Sequence, residues 1–198
     1  MGGNPIMIEL EVPIIEQDVR QLQVGDIVFI NGIVFTARDL AHQRLSDYLD
    51  QGKNLPEDFK GGVIFHAGPI AEKSGKDWIM KGIGPTTSMR MEPFSYLIPK
   101  LGVRIIIGKG GMGEETLKML SKYGGIYLLG APGCAVKHSS CVKSIERVHW
   151  TDLGMPEALW VLRVDSWGPL VVGMDSNGNS LFKDVKEKAQ AIFDRMFS

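Results

Sequence analysis

A chain of 198 residues, 44% hydrophobic and 23% charged, has the length and composition of one globular domain with its own core. A formal net charge of −1 gives no electrostatic reason to expect nucleic acid or an anionic membrane as partner. No apolar run reaches spanning length, residues 1–4 lack the basic start and apolar run of a signal peptide, and two cysteines make no disulfide framework, so a cytoplasmic, reducing address is expected.

In chain order, residues 6–15 read as a β segment interrupted by Glu9, Glu11 and Pro13. Short apolar runs at 26–30 and 33–35 flank Asn31-Gly32, which predicts a hairpin turn. A helix is expected over 37–50, with Thr36 as N-cap and Leu40, Ala41, Leu45, Tyr48 and Leu49 on one face. Residues 62–66 and 76–83 read as strands, and a short helix starts near Ser88. The β-branched run 103–107 predicts a strand that feeds a glycine loop. The helix over 114–123 is bounded by Gly113 and by Gly124-Gly125, and 126–129 is the next strand. A helix is expected over 134–147, strands over 158–164 and 170–174, a turn at 175–179 with a short return strand, and a closing amphipathic helix over 184–196. Trp78, Trp150, Trp160 and Trp167 are expected in the core. Without an internal repeat or a long linker, the whole of 1–198 reads as one α/β domain with a mixed sheet.

The chemistry concentrates in Gly84-Pro-Thr-Thr-Ser-Met-Arg-Met91 and Gly108-Lys-Gly-Gly-Met-Gly113. Together they supply two hydroxyls, a guanidinium and an ammonium near backbone that glycine leaves bare. The second segment is strand, glycine loop and helix, where backbone N–H groups attract anions; the plainer reading is a tight turn with a solvated Lys109. It is not a P-loop, because no Gly-Lys-[Ser/Thr] closes the spacing. Nor is it a dinucleotide fingerprint, because no acidic residue follows a second strand about 20 residues on. Thr86 and Thr87 stand where an N-cap belongs, and Arg90 lies four residues beyond Thr86, on the same side of a first helical turn. A threonine hydroxyl acts as a base only beside positive charge or a partner that takes its proton. Arg38 sits at a helix start, where the dipole disfavours a cation. It reads either as a surface arginine paired with Asp39 or another neighbour, or as a two-pronged hold on a bound carboxylate.

Cys134, His138 and Cys141 fall on one helical face with His149 downstream. Their spacing departs from the usual zinc patterns, and inert thiols are the expected reading. Two cysteines also fall short of the three or four an iron–sulfur cluster needs. His66 reads as a core histidine or as a donor behind the site.

Five blocks then meet one family in order: Thr36-Ala-Arg-Asp-Leu-Ala-His42, Phe65-His-Ala-Gly-Pro69, Gly84-Pro-Thr-Thr-Ser-Met-Arg-Met91, Gly108-Lys-Gly-Gly-Met-Gly113 and Asp152-Leu-Gly-Met-Pro-Glu-Ala-Leu-Trp160. Over nearly its whole length the chain resembles the β subunit of class I (iron–sulfur) fumarate hydratase and its relative, the tartrate dehydratase β subunit. The resemblance implies a swivelling β/β/α domain. It also implies a hydro-lyase that reversibly hydrates fumarate to (S)-malate, with L(+)-tartrate as the alternative substrate. A [4Fe–4S] cluster would be held by a cysteine-bearing α subunit and not by this chain, and β–β pairing would give an α2β2 assembly. Carried over by motif, Thr86 is the base and Arg38 lies beside it, favouring its deprotonated form and holding substrate. Arg90 and Lys109, with Thr87 adjacent, clamp the remote carboxylate of a dicarboxylate. The acid is expected from the α subunit. A non-catalytic anion-binding or interaction module on the same fold is the alternative from another class.

Overall fold

The computed structural model describes residues 7–75 and 77–197. Its strands are β1 (Met7–Glu11), β2 (Ile27–Thr36), β3 (Val63–Phe65), β4 (Ile70–Ser74), β5 (Asp77–Gly82), β6 (Ile105–Gly108), β7 (Ile126–Leu129), β8 (Val142–His149) and β9 (Leu159–Met174). Its α-helices are α1 (Glu16–Arg20), α2 (Asp39–Asp50), α3 (Leu97–Leu101), α4 (Glu114–Tyr123), α5 (Ala135–Ser140) and α6 (Leu181–Phe197), with 3-10 turns at Ser88–Phe94 and Thr151–Leu153.

The main sheet runs β1-β2-β3-β6-β7-β9-β8, and β9 also pairs β2. The strands β1, β2, β3, β6 and β7 are mutually parallel, and β9 runs antiparallel to β7, β2 and β8. The second pairing of β9 closes β2, β3, β6, β7 and β9 into a barrel, so the α/β class and the mixed sheet are as expected. Strand alternation partitions the core. Val63, Phe65, Ile105, Ile107, Ile126 and Leu128 face one cluster with Val34, Leu162 and Val172. The intervening residues face outward. Phe35 and Ile64 meet Ala41 and Leu45 of α2 and Leu97 and Leu101 of α3, while Ile106 and Tyr127 meet Met91 and Leu120. Burial on both faces is why 63–65, 105–107 and 126–128 are continuous apolar runs rather than alternating ones.

The structure departs from the sequence reading where long-range pairing overrides local signals. Asn31-Gly32 is no hairpin turn, because β2 runs straight through it. Gly32 has φ +106 and sits at a register shift against β9, while the Asn31 side-chain carbonyl accepts from Ser166 N at 2.6 Å; the pair serves as a bulge. The helix expected over 134–147 is one short helix, α5, followed by β8, which β9 recruits as an edge. The strands expected at 158–164 and 170–174 are one 16-residue strand, because β2 pairs along most of its length. The turn after Met174 forms around the Asp175 carboxylate, which accepts from the backbone of Asn177 and Asn179. The return strand shrinks to a bridge between Met174 and Ser180 before α6. The expected 76–83 strand is β5, its first residue lying outside the described residues, and the sequence missed its partner β4. Trp160 and Trp167 are buried, and Trp78 and Trp150 pack partly buried against the core.

Candidate active site

Arg38, Thr86, Thr87, Arg90 and Lys109 lie on segments at the carboxyl ends of β2, β3 and β6, where open α/β sheets place ligands. β2 leads through Ala37 to Arg38, which is the N-cap of α2. Thr36 is not that cap: it ends β2, and its hydroxyl accepts from Trp160 N at 3.2 Å. β3 leads through His66, whose carbonyl accepts from Thr86 N at 2.7 Å. β6 ends at Gly108, and Thr87 bridges Lys109 in parallel fashion.

Thr86 and Arg90 are brought into contact, with Arg90 Nη2 donating to Thr86 Oγ1 at 3.1 Å. The same nitrogen donates to Asp39 Oδ2 at 2.9 Å, so one guanidinium ties α2 to the threonine loop. Thr87 is the N-cap of the 3-10 turn by position, but no side-chain cap bond forms. The expectation that one of the two hydroxyls serves as a cap is therefore not met. The Thr86 hydroxyl faces a cation instead, the setting in which a threonine oxygen is activated.

Arg38 precedes Asp39 in the chain, but its side chain meets a different acid. Its Nε lies 3.0 Å from Glu157 Oε1, yet the N–H is not aligned with that oxygen and makes no hydrogen bond. The contact is ionic, with a buried donor left over. Glu157 also accepts from Leu40 N at 3.0 Å, so its carboxylate faces the start of α2 and offsets the cation the dipole disfavours there. Gly68 makes room for Arg38. A Cβ at Gly68 would lie 2.8 Å from Arg38 Nη1 and 2.9 Å from Pro156 Cβ, which links three of the sequence blocks through one close approach.

The helix N-terminus next to Lys109 is not free for an anion. Glu92 carboxylate oxygens accept from Gly113 N at 2.7 Å, Thr116 N at 3.0 Å and Thr116 Oγ1 at 2.6 Å. The chain supplies its own anion there, and the expected use of this terminus for a ligand is corrected accordingly. Among the described residues the Lys109 ammonium has no carboxylate within 4.0 Å, so its cation is uncommitted. Arg38, Thr86 and Lys109 are partly exposed, and Thr87 and Arg90 are exposed. The wall is open on one side.

Behind the wall, His66 and His42 are buried, with rings edge to face at 5.1 Å. Burial pushes His42 down to about 4 and His66 well below the usual histidine range, where the Arg90 charge and any proton on His42 oppose it further; near neutral pH both rings are uncharged. Ser88 Oγ lies 2.9 Å from His66 Nδ1.

The cysteine–histidine face carries no metal geometry. His138 Nδ1 accepts from Trp167 Nε1 at 3.0 Å, and its Nε2 faces the Ala131 carbonyl at 2.9 Å, so both ring nitrogens are used structurally. Cys134 is exposed and Cys141 buried. The described residues contain no group of three or more His, Cys, Asp or Glu placed to hold a metal ion. This chain's own residues do not fit an iron–sulfur cluster.

The family model for the Fumarase C-terminus matches residues 3–185. The chain belongs to that family. It is 44% identical over 179 residues to the L(+)-tartrate dehydratase subunit beta of Escherichia coli (strain K12), covering 90% of this chain and 88% of the relative. A putative L(+)-tartrate dehydratase subunit beta of Methanocaldococcus jannaschii is 45% identical over 175 residues, covering 87% and 90%. A putative class I fumarate hydratase of Geobacillus stearothermophilus is 42% identical over 185 residues, covering 92% of this chain and 35% of that protein. This member of the Fumarase C-terminus family thus aligns with separate β subunits and with about a third of a longer chain. Sequence reasoning put forward Thr86, Arg90, Arg38 and Lys109 as candidates, and the structure brings Thr86 and Arg90 into contact. That reasoning missed Asp39 as the partner of Arg90, Glu157 as the partner of Arg38 and Glu92 as the acceptor at the start of α4, although Asp39 and Glu157 lie inside quoted blocks.

Proposed function

We propose that this chain is the β subunit of an iron–sulfur-dependent hydro-lyase that reversibly hydrates fumarate to (S)-malate. The observation that carries the reading is the Thr86 hydroxyl 3.1 Å from the Arg90 guanidinium, on a wall that also bears Arg38 and an uncommitted Lys109. In the dehydration direction, Thr86 Oγ takes the proton from the carbon next to a carboxylate. The electron pair left behind spreads into that carboxylate, whose charge rises toward a dianion. Arg38 stabilises the deprotonated hydroxyl and holds substrate. Arg90 and Lys109, beside Thr87, clamp the remote carboxylate, and cations placed before the reaction stabilise this extra charge most.

The partner is a cluster-bearing α subunit, assembled with paired β subunits as α2β2 in the cytoplasm. Two features support a half-site: the open wall, and the misfit of this chain's residues to a cluster. The [4Fe–4S] group and the acid that protonates the leaving hydroxyl belong to that partner. Among the described residues no helix is long and apolar enough to cross a membrane.

Dehydration of L(+)-tartrate is a second reading, favoured by the names of the relatives at 44% and 45% identity. The clamp itself does not choose, because both substrates present two carboxylates. The deciding experiment co-expresses the chain with a cysteine-bearing α subunit and assays the anaerobic complex on fumarate, (S)-malate and L(+)-tartrate beside the β chain alone. Turnover of the fumarate and (S)-malate pair by the complex only is expected, and turnover of L(+)-tartrate instead would favour the second reading. A complex inert toward all three would favour a non-catalytic anion-binding or interaction module. Turnover by the lone, iron-free chain would overturn the half-site.

A further inference from the structure

We propose that Ser88 is a positioning residue that, with Tyr127 and His66, forms a buried hydrogen-bonded chain holding the Thr86 loop and the Lys109 loop in one register. The inference rests on the reading of this wall as part of a hydro-lyase site. All three side chains are buried, at 0% exposure for Ser88 and Tyr127 and 1% for His66. Each comes from a different part of the barrel rim: Tyr127 from β7, His66 from the end of β3, and Ser88 from the start of the 3-10 turn. Buried side chains of this kind do not reach solvent, and packing alone does not call for three polar groups in line.

With the neutral His66 ring protonated on Nε2, the chain runs in one direction. Tyr127 OH donates to Ser88 Oγ at 3.0 Å. The Ser88 hydroxyl has one proton, and His66 Nδ1 at 2.9 Å is its acceptor. Burial pushes Tyr127 up to about 12 and His66 well down, so Tyr127 keeps its proton and His66 keeps a free lone pair. The His66 ring edge then meets His42, whose Nδ1–H donates to the Arg38 carbonyl at 2.9 Å. Three loops that carry predicted site residues therefore touch one buried polar string.

The backbone beside Ser88 shows what the string holds. Thr86 N donates to His66 O at 2.7 Å, Lys109 N to Thr86 O at 3.2 Å, and Ser88 N to Lys109 O at 3.0 Å. These bonds splice a loop onto the end of β6, where no regular strand pairing fixes the register. Gly108 is the splice point, since a Cβ there would lie 1.8 Å from Ser88 Oγ and 3.1 Å from Tyr127 OH. An unmade bond inside such a buried network is costly, so the Ser88 hydroxyl has one position, and the Thr86 hydroxyl two residues away inherits it.

The test uses Ser88→Ala, Tyr127→Phe, His66→Asn and His66→Leu. On the full chain, amide exchange at Thr86, Ser88 and Lys109 should quicken about tenfold or more in Ser88→Ala, less in Tyr127→Phe, with the Leu117 and Leu120 amides unchanged. His66→Asn, whose side-chain oxygen can take the place of Nδ1, should restore slow exchange, and His66→Leu should not. In the assembled complex, Ser88→Ala should lower kcat on the order of tenfold or more while KM for the dicarboxylate stays within about threefold, because a misplaced base loses rate before it loses binding. Unchanged exchange at the three amides, or an equal quickening over the whole chain, overturns the proposal. So does a KM effect without a kcat effect. A wild-type complex that turns over no dicarboxylate refutes the functional reading alone, and the exchange measurements still decide the register lock.

Discussion

Lowering the pH from 6.5 to 5 should weaken the fold through His42. Its ordinary value is 6.5 and burial takes it to about 4. In this window the unfolded chain binds a proton that the native chain refuses, so stability rises with pH and is lost as pH falls. Two and a half pH units at 1.36 kcal/mol each give roughly 3 kcal/mol over the whole window, of which about 1.5 kcal/mol falls between pH 6.5 and 5. His66, shifted in the same direction, steepens the slope. The assay is urea unfolding at several pH values, comparing wild type with His42→Asn, whose side-chain amide can still donate to the Arg38 carbonyl. The variant should lose close to one proton's worth of slope. If both proteins show the same slope from pH 6.5 to 5, His42 is not held neutral in the native state and the reasoning fails.

Thr86→Ala should cut turnover of the assembled complex on the order of a hundredfold or more, as expected for loss of a positioned base, with assembly intact by gel filtration; near-normal turnover removes Thr86 from the chemistry. Gly108→Ala should cost about 1–3 kcal/mol by overpacking against Ser88, seen as a lower urea midpoint, and an unchanged midpoint would mean the loop has slack. Asp39→Asn should tighten binding of a dicarboxylate to the lone chain by roughly fivefold, since removing one charge near the surface is worth about 1 kcal/mol. Calorimetry showing weaker binding would mean that the loss of aim at Arg90 outweighs the charge removed.

What the sequence disclosed and what it hid divide by range. Helix α4 was legible residue by residue, because Gly113, an amphipathic run and Gly124 at φ +68 act within a few positions of one another. The buried strands β6 and β7 were legible for the same reason. Closure of the barrel was not, since β9 is defined by partners far along the chain, and its 16 residues look locally like two strands. The site shows the same split. Thr86 and Arg90 are one helical turn apart, and their contact follows from spacing. The carboxylates come from segments remote in sequence: Glu157 reaches Arg38 from the stretch that enters β9, the strand beside β2, and Glu92 reaches across to α4. Asn31-Gly32 carries the opposite lesson, because a strong local turn signal yielded to strands pairing on both sides of it.

Those carboxylates bear on how such a wall works. Arg38 and Arg90 each stand against one acid, at 3.0 and 2.9 Å, while Lys109 has none among the described residues. Three cations and two anions leave one positive charge facing outward. That is too little to neutralise a dicarboxylate, and the shortfall fits a surface that completes its pocket only against a second wall. The pairing also has a benefit. An arginine held by a carboxylate does not wander, so its guanidinium is already in place when substrate arrives, and less side-chain freedom is lost on binding. Arg90 shows how far this goes, since one nitrogen serves both Asp39 and Thr86. Its aim is set by the acid and spent on the hydroxyl. The exposed Arg90–Asp39 pair adds little to stability, about 0–1 kcal/mol, so its value lies in orientation. The contact between the guanidinium and the Thr86 hydroxyl is therefore what gives this wall its chemistry, and the carboxylates are what keep that contact in one place.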